Sequence, residues 1–161
     1  MIAADLRVLF AGINPSLYSA ATGHHFGRPG NRFWPALHQS GFTGAQLHPS
    51  EQAQLLAAGL GITNLVARAT ARADELDPAE LRAGGAELAA KVTRLRPRWL
   101  AVAGVTAYRS AFGRGGASVG PQIETLGGAR LWVLPNPSGL NAHWNAAALA
   151  AEFARLREAT S

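Results

Sequence analysis

The sequence predicts an α/β fold with a central, mainly parallel sheet and helices on both faces. Two observations carry this expectation. Four short apolar runs, Leu6–Ala11, Ile62–Val66, Trp99–Ala103 and Leu131–Leu134, do not alternate with polar residues. Such runs suit strands covered on both faces. Segments of helical periodicity lie between the runs, and strands alternating with helices form βαβ units with right-handed crossovers. The 161 residues fit one domain spanning 1–161, and a chain of that size buries roughly 68–70% of its unfolded surface without needing a staple.

The first run ends in Gly12-Ile13-Asn14-Pro15-Ser16, a turn that exposes one short polar side chain, Asn14, at a strand's carboxyl end. Open α/β sheets bind ligands there. The loop Ser19–Gly30 is Gly-rich and is expected to carry binding surface. Asn31–Gln39 reads as a helix with Phe33, Trp34 and Leu37 on its apolar side and Gly41 as its stop. Ser50–Ala58 reads as another, with Ser50 the N-cap candidate and Gly59 its end. Pro78–Leu95 is the clearest: Asp77 caps it, Pro78 takes the first helical position and Pro97 follows. Its interior Gly84-Gly85 costs roughly 1 kcal/mol per residue and so calls for close packing or a break. Thr106–Phe112 and Asn145–Arg157 complete the helices, with a Gly-rich loop at Gly113–Gly120. The last strand runs into Pro135-Asn136-Pro137-Ser138-Gly139-Leu140-Asn141, a second Asn-Pro-Ser turn. Two strands ending alike suggest one site assembled from two loops.

Composition narrows the function classes. The chain has no Cys, which excludes disulfides, an Fe–S cluster and thiolate zinc sites. This accords with a cytoplasmic location. No apolar stretch approaches the ~20 residues that span a bilayer, so no membrane partner is expected. The N-terminus lacks the basic region of a signal peptide. Fifteen Lys and Arg against ten Asp and Glu give a net charge of +5, a balance that favours polyanions such as nucleic acid. Arg-rich solvated faces are the alternative.

Several residues could carry chemistry. Asn14 has no useful basicity, but its carbonyl oxygen can hold a water and its amide can donate; otherwise Asn-Pro simply initiates a turn. Phe26, in a Gly-flanked loop rich in His and Arg, can offer a ring face on which a base stacks, worth about 1–3 kcal/mol, or can anchor the loop in the core. His24 and His25 are adjacent and have no acidic or His cluster beside them, so no metal is expected.

GINPSLYSAATGHHFGRPGNRFWPALHQSGFT together with WVLPNPSGLN resembles the mismatch-specific uracil-DNA glycosylases, the Mug and thymine-DNA glycosylase branch of the uracil-DNA glycosylase superfamily. The similarity continues through GITNLVARATARADEL, the GG pair, GVTAYRSAF and the final helix. The resemblance implies a three-layer α/β/α sandwich with a short, mainly parallel central sheet. It implies excision of uracil, and of other damaged pyrimidines, from G-mismatched double-stranded DNA by a monomer that uses no cofactor and leaves an abasic site. By it, Asn14 positions the hydrolytic water and Phe26 stacks on the flipped base. Backbone amides near Ile13 and Phe26 read the pyrimidine edge, and Ser19 lines the pocket with Asn136. Leu140 wedges into the duplex, with Ser138, Gly139 and Asn141 beside it, and Gly139 and Asn141 face the widowed guanine. The helix starting near Val105-Thr106 offers its N-terminus to a phosphate.

The chain also departs from that pattern. Ser16 stands where many relatives have Gly, at the pocket mouth. Asn64 and Val105 stand where Lys is common, and Ala142 where an Arg follows the wedge. Asp74 stands where some relatives have Asn: it either orients water and stabilises the cationic sugar, as a second catalytic group, or is a solvated loop residue. Two rival readings are a glycosylase of broader specificity, acting on U·A pairs and single strands, and a non-catalytic binder of mismatched or abasic DNA.

Overall fold

The computed structural model describes residues 1–161. A five-stranded sheet in the order β2-β1-β3-β5-β4 forms its centre. The strands are β1 (Val8–Gly12), β2 (Leu60–Asn64), β3 (Trp99–Ala103), β4 (Gly120–Leu126) and β5 (Ala129–Leu134). β1 runs parallel to β2 and β3, β3 runs parallel to β5, and β4 is antiparallel to β5.

The register aligns Phe10 with Ile62 and Ala101, and Leu9 with Gly61 and Leu100. Successive side chains leave opposite faces of a strand, so the two rows feed two cores. Val8, Phe10, Ile62, Ala101 and Leu134 pack under α2 (Phe33–Gln39), α3 (Gln54–Ala57) and α6 (Ala146–Thr160). Leu9, Ala11, Leu100, Val102 and Val133 pack under α4 (Pro78–Leu95) and α5 (Val105–Phe112). Both faces are covered, which is why β1 and β3 are buried at every position. The fold is the expected three-layer α/β/α sandwich. No helix is long and apolar enough to cross a membrane.

Helix α4 begins as its sequence requires. The Asp77 carboxylate accepts from the Glu80 backbone N–H at 2.8 Å, and Pro78 occupies the first turn. Its two glycines are contact points. A Cβ at Gly84 would stand 2.3 Å from the Leu65 carbonyl oxygen, and one at Gly85 would stand 2.7 Å from that of Ala111. The helix therefore lies directly on the segment leaving β2 and on the end of α5.

Several boundaries differ from expectation. β2 covers Leu60–Asn64, not Ile62–Val66. Leu65 and Val66 leave the sheet, and their N–H groups bond the Gly12 and Ile13 carbonyls at 2.8 and 2.9 Å, following the turn after β1. The segment expected as one helix from Ser50 is a 3-10 turn at Pro49–Glu51 followed by the single turn α3, because His48 rather than Ser50 caps it. The Ser19–Gly30 loop loses its first part to helix α1 (Leu17–Thr22), which Ser16 caps and Gly23 ends at φ 74°. β4 was not expected, being a polar edge strand that contains Pro121. Gly127 and Gly128, at φ 56° and 88°, form the tight turn joining it to β5.

Strand order reverses at β1. β2 lies on one side of it, and the chain then crosses to place β3 on the other. A crevice opens at the carboxyl ends of strands at such a reversal, and the turns after β1 and β3 meet there.

Candidate active site

A cleft of about 970 Å³ lies at the carboxyl ends of β1, β2, β3 and β5. Ile13, Asn14 and Ser16 reach it from the turn after β1, Asn64 from the end of β2, Gly104 from the turn after β3, and Asn136 from the turn after β5. The two Asn-Pro-Ser turns thus face one cavity. Ser19, Phe26, Asp74, Ser138, Leu140 and Asn141 complete the expected set within its lining. Gly139 lies outside this cleft and lines a smaller cavity of about 270 Å³ behind the Leu140 loop.

The orientation of the Asn14 amide is fixed by its partners. Its Nδ2 donates to the Arg68 carbonyl oxygen and to the Thr70 hydroxyl, each at 2.8 Å. A carbonyl can only accept, so the atom facing it must be the amide nitrogen. The Thr70 hydroxyl spends its own proton on the Arg72 carbonyl at 2.7 Å, so it too accepts from Asn14. Both amide protons are thereby committed, and Oδ1 is left as an acceptor in the cleft. An acceptor held this way can fix a water with its lone pair outward.

The segment that supplies these partners is itself braced. The Arg68 guanidinium makes paired contacts of 2.8 Å to both oxygens of Glu80 in the first turn of α4. This hydrogen bonding raises the pKa of Arg68 and lowers that of Glu80. The pair is exposed, so its value is geometric: it fixes the backbone that carries the Arg68 carbonyl.

Phe26 adopts φ 50°, a left-handed conformation unusual for a bulky residue. Such strain persists only where surrounding contacts over-determine it. Here the ring stacks on Phe33 with centroids 4.1 Å apart and 24° between planes, while also lining the cleft. It is both loop anchor and cleft wall. Gly12 makes room, since a Cβ there would stand 3.1 Å from Phe26 Cζ and 2.9 Å from Asn64 Oδ1. Gly104, at φ 152°, lets the β3–α5 turn close on Ile13, whose Cδ1 would lie 2.8 Å from a Cβ. The Ile13 side chain packs partly buried against the core, and the residue also lines the cleft. The N–H groups of Ile13 and Phe26 make no hydrogen bond within the protein and remain available as donors. Ser19, almost fully buried, accepts from the Gly27 N–H at 3.0 Å and so shapes the Phe26 loop.

The second turn presents Leu140, which is 69% exposed. Its loop is knitted internally. Asn136 Oδ1 accepts from Ser138 N, Asn141 Nδ2 donates to the Asn136 carbonyl, and Asn141 Oδ1 accepts from His143 N, at 2.9, 3.0 and 3.1 Å. Leu140 thus stands as an exposed apolar side chain on a loop braced by its own polar groups.

The remaining expected residues stand as follows. The Ser16 hydroxyl accepts from Ser19 N at 3.0 Å, so it serves α1 as well as the cleft mouth. Asp74 sits on a 3-10 turn at Ala73–Glu75, exposed, with Oδ1 3.2 Å from Arg72 Nε. The His25 ring is neutral, because burial lowers its pKa to about 4, reinforced by the N-terminal amine and Lys91. No third His, Asp or Glu side chain joins it in a metal-binding group. Lys91 lies away from the cleft, donating to Thr63 Oγ1 at 2.8 Å. Thr70, Arg68 and Arg32 were not singled out in the sequence. They act through backbone carbonyls or on partners more than fifty residues away, for which single-sequence spacing carries no signal.

The cleft combines an aromatic wall, two unused backbone donors, an oriented acceptor and an exposed apolar tip, with Arg28 and Arg72 at its rim. It can hold a planar heteroaromatic group and direct water at it while a loop displaces a neighbour. Residues 1–159 match the family model of the uracil DNA glycosylase superfamily. The chain therefore belongs to the uracil DNA glycosylase superfamily, whose members are DNA glycosylases hydrolysing N-glycosyl bonds.

Proposed function

We propose that this protein is a monofunctional glycosylase of the mismatch-specific branch, removing uracil opposite guanine from double-stranded DNA by base flipping. The carrying observation is the Asn14 amide, whose committed protons leave Oδ1 as the free acceptor in a cleft that Phe26 also lines. Leu140 fills the gap left by the extruded nucleotide, with Ser138, Gly139 and Asn141 beside it. Extrusion costs a few kcal/mol, less at a mismatch than in a matched pair. The uracil stacks on Phe26, and the Ile13 and Phe26 N–H groups, with Asn64, Asn136, Ser16 and Ser19 around them, meet its edge.

The C1′–N1 bond then breaks with its electron pair leaving on the base. Fixed donors stabilise the resulting anion. The sugar becomes cationic, and water held by Asn14 Oδ1 adds to C1′. Its surplus proton is lost to solvent or to Asp74, the one carboxylate lining the cleft. The products are free base and an abasic site. Lys91, the single Lys, lies outside the cleft, which supports hydrolysis over Schiff-base chemistry. No metal or cofactor takes part in these steps.

Single-turnover excision on matched U·G, U·A and single-stranded substrates tests this. The fastest excision is expected on U·G. Equal rates on all three would favour a broad-specificity enzyme, and tight abasic-DNA binding without base release would favour a non-catalytic binder.

A further inference from the structure

The side chain that reaches most of the Leu140 loop is Arg32, just before α2. One terminal nitrogen of its guanidinium donates to the Trp144 carbonyl. The other donates to the carbonyls of Ser138 and Asn141 at 2.8 and 3.3 Å. Its backbone N–H donates to the Pro137 carbonyl at 2.9 Å. One residue thus gathers four carbonyls from both arms of the loop whose tip is Leu140. The planar fork of arginine suits this task, and a lysine ammonium could not span the same set.

Two more observations define the seam. A Cβ at Gly139 would stand 2.6 Å from the Gly30 carbonyl oxygen, so the loop rests directly on the backbone leading to Arg32. The Arg32 Nε is buried without a partner, and no carboxylate pairs with the guanidinium. The charge faces only carbonyl dipoles and remains unneutralised beneath the loop tip. The group is placed to hold the loop and to favour a polyanion above it.

We propose that Arg32 is a positioning residue for base extrusion: it holds the Ser138–Asn141 turn in the shape that drives Leu140 into the duplex. This rests on the wedge role given to Leu140 above. The defect of an Arg32 variant should therefore scale with the cost of extruding the base, whereas a general structural defect would lower every substrate by one factor.

The test uses the full chain, with two duplexes of identical flanks carrying uracil opposite guanine or opposite an abasic site, where less stacking and pairing must be broken. Arg32→Gln is expected to lower single-turnover excision on U·G by roughly 10- to 100-fold, from lost charge-assisted hydrogen bonds, and on the abasic-opposed uracil by less than about threefold. Arg32→Lys should fall between Arg32→Gln and the native protein. A 2-aminopurine next to the uracil should brighten more slowly with Arg32→Gln, reporting slower extrusion. Should Arg32→Gln not fold, Arg32→Lys, which keeps the charge but not the fork, should give the same substrate pattern at smaller amplitude. Equal losses on both duplexes would overturn the proposal. So would native rates for Arg32→Gln alongside a selective U·G defect in Leu140→Ala. No effect of Leu140→Ala on U·G would instead overturn the wedge role, and the bracing role with it.

Discussion

The ring of Phe26 occupies the space beside Gly12 that any other side chain would need: a Cβ at Gly12 would stand 3.1 Å from both Cε1 and Cζ of that ring. The glycine that ends β1 and the aromatic fourteen residues later form one packed unit, with Asn64 Oδ1 on its other flank.

Gly12→Ala is therefore expected to displace Phe26 and Asn64 without unfolding the protein. Gly12 has an ordinary negative φ, so the backbone tolerates alanine, and overpacking of this kind costs typically 1–3 kcal/mol. Misplacing a binding wall by a fraction of an ångström should cost about 10- to 100-fold in single-turnover excision. Thermal unfolding and excision measured on one preparation check both halves.

Asp74 is exposed and paired with Arg72 at 3.2 Å. An exposed ion pair contributes little stability, so Asp74→Asn should leave the melting temperature nearly unchanged. If the carboxylate helps water attack, excision falls by about 100-fold or more. A native rate for Asp74→Asn would make it a solvated loop residue.

His25 should make the fold acid-sensitive. Burial, then the N-terminal amine and Lys91, lower its pKa from about 6.5 to about 4. Between these values the unfolded chain binds a proton that the folded chain does not. Stability is then full above pH 6.5 and declines as the pH falls toward 4. The residue's two structural hydrogen bonds run through its backbone, from His25 N to Gln52 Oε1 and from Trp34 Nε1 to His25 O. His25→Gln should keep them while flattening the fall in melting temperature across that window. An unchanged pH dependence would assign the acid sensitivity to other groups.

What was legible in the sequence follows from range. The buried parallel strands β1 and β3 announce themselves by unbroken apolar runs, and α4 by Asp77, Pro78 and Pro97, all local signals. β4 was missed although Gly127-Gly128 marks its hairpin, because its exposed residues and Pro121 do not resemble a core strand. α1 was missed because six residues between Ser16 and Gly23 are too few for a periodic pattern to stand out. In the site, Asn14 and Phe26 stood out through the turn and the Gly-flanked loop that carry them, and Leu140 through the family resemblance. The contacts that orient them did not. Thr70 reaches Asn14 across 56 positions, and Arg32 reaches Ser138 across 106. Arg68 acts through a carbonyl that every residue possesses.

The most direct test of the central claim compares the native protein with Asn14→Ala on a U·G duplex under single-turnover conditions at low salt, alongside binding to a duplex with an abasic analogue opposite guanine. The native protein should release free uracil and leave alkali-labile sites. Asn14→Ala should excise at least about 100-fold more slowly with binding to the abasic analogue within about threefold of native, since the role proposed for Asn14 is to hold water and not DNA. Native-rate excision by Asn14→Ala, or a native protein that leaves U·G duplexes intact, would contradict the assignment.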